Sequence, residues 1–231
     1  MLQLWPVLRT WCVLQPVSQL NFVAQVALCM FVVCLVGLAM ADPFFVEFKL
    51  AGQGVPDGAS FMLKVQPSWA PIGAARFKEL VEARFYDDNR FFRVLDGMYD
   101  IWIAQFGING DPATHRKWEQ KPIKDDPSTH SNTRGTVSFA MSGRNSRTSQ
   151  LFLNFGDSSK VLDKDFPVFG EVVSGMDAVD AIHKIGEGPP KGKGPAQHDI
   201  TQKGNAFLDA KFPQLTRVLT ARVVAAPDRE L

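Results

Sequence analysis

The sequence predicts a mainly β domain, a closed or nearly closed β-barrel with two covering helices, preceded by a hydrophobic N-terminal helix. Three observations point there. From residue 42 onward, apolar residues recur mostly in short runs of strand length bounded by Gly, Asp or Ser. Only two stretches carry an apolar stripe at helical spacing. The twenty residues before Asp42 carry no charge at all. Many strands and few helices are best accommodated by a sheet curled on itself, with helices over its open ends.

Residues 22–41 read FVAQVALCMFVVCLVGLAMA and end in Ala39-Met40-Ala41, the small-x-small form of a signal peptidase site. Asp42 is expected to begin the mature protein. The alternative is an uncleaved signal anchor in a single-pass membrane protein, since twenty apolar residues suffice to span a bilayer. Either reading places the remainder in the secretory pathway, in the lumen or outside the cell. The expected division is 1–41 as signal peptide or anchor, 42–226 as the folded domain and 227–231 as a tail. That tail ends Asp228-Arg229-Glu230-Leu231, only loosely similar to a lysine-aspartate-glutamate-leucine retention signal. Strands are expected at residues 44–50, 60–65, 136–141, 151–155 and 168–173. The first helix, residues 71–82, sets Ala74, Phe77, Leu80 and Val81 on one stripe, with Pro71 suited to its first turn. The second, residues 176–185, does the same with Ala178, Val179, Ile182 and Ile185, after Ser174 and Asp177 at capping-box spacing. GEGPPKGKGP, residues 186–195, lacks the Walker spacing and reads as a solvated turn.

Several function classes find no support. All three cysteines lie in the first 34 residues, so the rest of the chain offers no thiol for a disulfide, a nucleophile or a metal. Residues 1–41 hold one basic residue, Arg9, which leaves 24 basic against 24 acidic residues beyond them. That balance does not suit a nucleic acid partner, which needs a basic surface. His115, His130, His183 and His198 are scattered without zinc-ligand spacing, and no nucleophile elbow or dinucleotide fingerprint occurs.

Three segments remain: FFRVLDGMYDIWIAQFGINGDP from Phe91, GTVSFAMSGRNSRTSQLFLNFGD from Gly135, and LDKDFPVFGEVVSGMD from Leu162. They contain an ordered series. Phe91-x-Arg93 precedes an aromatic residue and Gln105; Gln105-x-Gly107 is followed by Gly110-Asp111. Next come Gly135-x-x-Ser138-x-Ala140, Ser149-Gln150-x-Phe152, Leu162-Asp163 and Phe169-Gly170-x-Val172. Any one of these is a weak signal. The ordered series resembles the cyclophilin family of peptidyl-prolyl cis-trans isomerases, most closely a subgroup carrying QFGINGDP. The resemblance spans residues 45–185 and, more loosely, the last β-like run ending near Val224. It implies a closed antiparallel β-barrel capped by two helices, no cofactor, a monomer, and proline-containing polypeptides as partners.

The chemistry such a family performs needs little from the protein. Rotation about an X-Pro bond faces a barrier of ~18–20 kcal/mol because twisting the amide destroys its resonance. A pocket for the proline ring helps, as does a donor to the proline nitrogen while its lone pair localises, an interaction that exists only in the twisted state. By resemblance Arg93 is that catalytic donor, with Gln105 orienting it and Phe152 completing the catalytic set. Trp102, Ile103, Phe152 and Leu162 would wall the ring. Ala140, Met141 and Ser142 would form an extended edge for the substrate backbone, Met141 through its main chain, and Gln150 would contact the residue before proline. For Arg93 alone the alternative is a strand arginine in a surface ion pair; for Ile103, Phe152 and Leu162 it is plain core packing. The sequence departs from the family in three places. Met98-Tyr99-Asp100-Ile101 reads as an insertion between Arg93 and Trp102, which either extends the flanking strands with their faces kept or displaces Trp102 or Gln105; the alternative alignment makes Met98 the pocket wall. Val161 and Phe166 stand where many members carry tryptophan and histidine at the pocket rim. Met141 replaces a common asparagine. The inhibitor cyclosporin is accordingly expected to bind weakly.

Overall fold

The computed structural model describes residues 41–227. The N-terminal hydrophobic helix, the signal or anchor and the last four residues of the tail lie outside that range. Among the described residues no helix is long and apolar enough to cross a membrane.

Eight strands form one antiparallel sheet: β1 (Phe44–Ala51), β2 (Ser60–Val65), β3 (Arg93–Asp96), β4 (Trp102–Phe106), β5 (Thr136–Phe139), β6 (Leu151–Asn154), β7 (Val168–Ser174) and β8 (Arg217–Val224). Their order is β3-β4-β6-β5-β7-β2-β1-β8. The sheet curls into a half-barrel, so the expected closed barrel is corrected here. Among the described residues its edges meet only at the bridge Arg90↔Arg217, made by the Phe91 N–H to Thr216 C=O bond of 2.9 Å and the Val218 N–H to Asn89 C=O bond of 2.8 Å. The reason lies in β3. It has four residues, and its free edge is taken by Gly186, which exchanges both backbone hydrogen bonds with Val94 at 3.0 and 3.2 Å.

Among the described residues five helices replace the expected two: α1 (Pro71–Glu82), α2 (Pro112–Glu119), α3 (Ser159–Leu162), α4 (Met176–Asp180) and α5 (Gln197–Lys211). The periodic stripe of α1 faces the core, with Ala74, Phe77, Leu80 and Val81 all buried. Its start has no cap from its own flank. Instead the carboxylate of Asp126 accepts the Ile72 and Gly73 N–H groups at 2.9 and 2.8 Å, meeting donors that a helix N-terminus leaves free. α4 is shorter than the expected 176–185 and makes no Ser174 cap. Ser174 still pairs with Met62 as the end of β7, and Gly175 makes the turn at φ 76°.

Phenylalanines dominate the main core. Phe48, Phe61, Phe77, Phe106, Phe139 and Phe169 are fully buried between the concave face of the sheet and α1. A smaller cluster sets Ile200 and Leu208 of α5 against Phe92 and Ile108.

Candidate active site

Register builds the site. Arg93 lies opposite Gln105, Gln105 opposite Phe152, and Phe152 opposite Ser138, so one row crosses β3, β4, β6 and β5. Side chains alternate between faces along a strand. Val94, Ala104, Phe106, Leu151 and Leu153 therefore enter the main core, while Leu95, Ile103 and Phe152 form a separate cluster on the other face with Leu162. Phe166 meets Phe152 edge-on at 5.5 Å.

The segment carrying Val161, Leu162 and Phe166 is tied to the sheet by Asn132, which is wholly buried. Asn132 donates from its main-chain N–H to the Asp163 carboxylate at 2.6 Å and from Nδ2 to the Phe166 C=O at 2.9 Å, and accepts from Ser138 Oγ at 2.9 Å. Ser158 adds two ties, from its N–H to Asn132 C=O and from the Trp102 N–H to its Oγ. The Leu162-Asp163 pair thus sets one apolar wall and its anchor side by side.

A cavity of about 780 Å³ opens on this cluster. Arg93, Gln105, Ile103, Phe152, Leu162, Val161 and Phe166 border it, and Ala140, Met141, Ser142 and Gln150 run along another side. The Ala140 N–H is paired to Gln150 C=O at 2.9 Å. β5 ends at Phe139, short of the expected Met141, and among the described residues the Met141 main-chain groups have no backbone partner.

Trp102 is not in the cavity. As the immediate neighbour of Ile103 it points to the opposite face, where its ring lies over Gly97 and Gly156, edge-on to Phe155 at 6.3 Å. Ile101 borders the cavity instead. The step of two from Gln105 to Ile103 to Ile101 could have found it. The inserted residues fold as a turn closed by a Gly97 N–H to Ile101 C=O bond of 3.1 Å, beyond the last ladder pair, Asp96↔Trp102. They lie outside the ladder, so the Arg93↔Gln105 pairing is intact.

The Arg93 guanidinium is held on two sides. Nη1 donates to Gln105 Oε1 at 3.0 Å, and Gln105 Nε2 passes the chain on to Gln150 Oε1 at 2.9 Å. Nε and Nη2 meet the Glu187 carboxylate at 2.9 and 2.8 Å. Glu187 comes from the stretch expected to be a solvated turn, and that expectation is corrected: the loop faces the site. Burial pushes the Glu187 carboxyl upward, but hydrogen bonds from Arg93 and the Gly188 N–H, with the charges of Arg93 and Lys191, outweigh it and hold the group below its ordinary value. Beyond Gln150 the cavity lining continues onto Glu119, Asn145, Ser146, Thr148 and Gln197, polar residues that the sequence motifs did not mark.

Residues 53–205, more than half of the chain, match the family described as Cyclophilin type peptidyl-prolyl cis-trans isomerase/CLD. The chain belongs to the cyclophilin family. Among curated relatives, a peptidyl-prolyl cis-trans isomerase of Acinetobacter baylyi is 36% identical over 125 residues, covering 50% of this chain. A probable peptidyl-prolyl cis-trans isomerase of Brucella abortus is 37% identical over 132 residues, 54% of this chain and 67% of its own length. The matched stretch spans only 62% of the length of the Acinetobacter relative. The crystal structure of a Cryptosporidium parvum cyclophilin superimposes with a TM-score of 0.55 over 80% of this chain and all of that one. At 15% identity it is similar in fold.

Proposed function

We propose that the chain is a peptidyl-prolyl cis-trans isomerase acting on exposed X-Pro bonds of client polypeptides in the secretory pathway. The observation that carries this is the registered row itself: a guanidinium set beside an apolar cluster, with Gln105 between the arginine and Phe152. A guanidinium has five N–H donors. Gln105 and Glu187 engage three of them, which leaves one on each terminal nitrogen for a substrate. A proline ring in the Ile103, Phe152 and Leu162 cluster would gain ~1.5–3 kcal/mol, enough for reversible binding. The main chain of Met141 would pair with the substrate backbone. Arg93 would donate to the proline nitrogen as the amide twists, lowering the barrier without a covalent step. The relatives that bear the isomerase name support the same reading.

Exchange of a short X-Pro peptide, followed by NMR with substoichiometric full chain, tests it. Acceleration with turnover is the expected result. Binding without acceleration would make the chain a proline-binding or chaperone module. The secretory placement rests on residues 22–41 and is tested by sequencing the N-terminus of the exported protein, expected at Asp42. A full-length chain in the membrane fraction would instead give the anchored form.

Cyclosporin should bind weakly. Val161, 43% exposed at the cavity border, offers neither a flat apolar face nor a donor, and Phe166 adds area but no hydrogen bond. Val161→Trp is expected to tighten inhibitor binding by ~1–2 kcal/mol with little change in turnover. Equal affinities in titrations of the two proteins would place the rim elsewhere.

A further inference from the structure

The loop of residues 186–195 is built around one side chain. Gly186 pairs with Val94 in antiparallel fashion, which by register sets Glu187 directly opposite Arg93. The glycines that follow let the loop turn back over Glu187. Gly194 donates its N–H to the Glu187 C=O at 2.9 Å, and a Cβ on Gly192 would lie 2.1 Å from that same oxygen, a distance no side chain tolerates. Gly188 donates its N–H to the Glu187 carboxylate at 2.9 Å. Further along, Lys191 Nζ reaches the ring of Tyr99 at 5.3 Å, so the inserted hairpin turn braces the same loop.

The carboxylate is where a support would be placed, not where a plug would. Arg93 borders the cavity and Glu187 does not. The Glu187 side chain is 17% exposed and that of Arg93 24%. Glu187 takes the Nε edge of the fork, Gln105 takes one Nη1 hydrogen, and with two fixed partners on different edges the guanidinium plane has one orientation. An arginine side chain otherwise carries considerable rotamer freedom, and a donor must be aimed before the bond twists if it is to act on the twisted state alone.

We propose that Glu187 is a positioning residue for the isomerase reaction: presented in register by the 186–195 loop, its carboxylate fixes the Arg93 guanidinium so that the remaining N–H donors are offered to the cavity. This rests on the isomerase reading above. Two groups bond the Glu187 carboxylate, Arg93 from β3 and the Gly188 N–H from its own loop, while Lys191 acts on it by charge alone.

The test uses the full chain with Glu187→Ala, Glu187→Gln, Arg93→Ala and the double variant Glu187→Ala/Arg93→Ala. Catalysed peptide exchange, peptide Kd and the Arg93 Nε–H resonance are measured for each. Glu187→Ala should lower the exchange rate about tenfold or more with Kd unchanged within about twofold, since binding and aim are separate. Glu187→Gln, which keeps the shape and one acceptor, should lose less in the same direction; it also decides the matter if Glu187→Ala fails to fold. In the Arg93→Ala background removing Glu187 should cost nothing further, because it acts only through Arg93. The Nε–H resonance should exchange slowly with solvent in the parent and fast in Glu187→Ala. A parental rate in Glu187→Ala, an equal loss in the Arg93→Ala background, or a loss confined to Kd would each overturn the proposal. A faster variant would make the pair a brake and overturn it as well. An inactive parent would remove the isomerase reading and the proposal together, whereas an active parent with an indifferent Glu187 removes only the proposal.

Discussion

Arg93→Ala is expected to slow X-Pro exchange by roughly ten- to a hundredfold or more while peptide affinity stays nearly constant. The interaction lost is a charge-assisted hydrogen bond of ~1.5–3 kcal/mol made in the twisted state, and each ~1.4 kcal/mol is a factor of ten in rate. The apolar cluster proposed to hold the proline ring does not include Arg93, so binding should survive. Glu187, left without its partner, keeps the Gly188 N–H. Arg93→Lys should rescue poorly. A lysine ammonium could answer Glu187 or Gln105, but a point charge cannot hold both and still present a donor to the substrate. If the alanine variant exchanges peptide as fast as the parent, Arg93 is not the donor.

Asp126→Ala should be the most damaging single change to stability. The carboxylate caps two N–H groups of α1 and also meets Arg147 Nη2 at 3.0 Å; the Arg147 side chain has no exposure at all. Arg147 has other partners, among them the Lys124 C=O and, at 3.5 Å, Asp125, but Asp126 is its buried carboxylate. Removing one member of a buried pair typically costs ~3–5 kcal/mol, because the remaining charge stays in a low-dielectric interior. The lost cap adds ~1 kcal/mol. Thermal unfolding should fall by roughly 10 °C or more. Asp126→Leu combined with Arg147→Met should be milder than Asp126→Ala, since no charge is then stranded. A double variant less stable than the single would show that the pair contributes by attraction and not merely by mutual compensation.

What could be read from the sequence follows the physics of each segment. α1 was legible because its buried face repeats at helical spacing, and β1, β2 and β6 because short apolar runs end in turn residues. α2 was not, since PATHRKWE buries only His115 and carries no apolar stripe. α5 was hidden by its polarity and by Gly204, whose φ of 62° interrupts it. The 176–185 stripe was real, but the helix stops at Asp180 as the chain turns toward Thr216, whose Oγ1 accepts the His183 N–H. At the site, ordered motifs brought the cavity residues into view. Trp102 was misplaced because two adjacent strand residues cannot face the same way. Glu187 stayed invisible because its partner is 94 positions away and only the Val94–Gly186 bridge brings them together.

The division between core and site by strand parity governs which changes in chain length this protein can survive. On β6, Leu151 and Leu153 answer to the interior and Phe152 to the cavity; on β4, Ala104 and Phe106 stand against Ile103 and Gln105. Deleting one residue inside either strand would exchange the two sets at once, sending Gln105 or Phe152 inward and leucines outward. The turn of residues 97–101 is exempt, because the ladder has already ended at Asp96↔Trp102. Lengthening there leaves the row from Arg93 to Ser138 untouched. That tip is therefore the place on this part of the sheet where residues can be added without shifting strand parity, provided Ile101 keeps its place at the cavity border and Tyr99 its contact with Lys191.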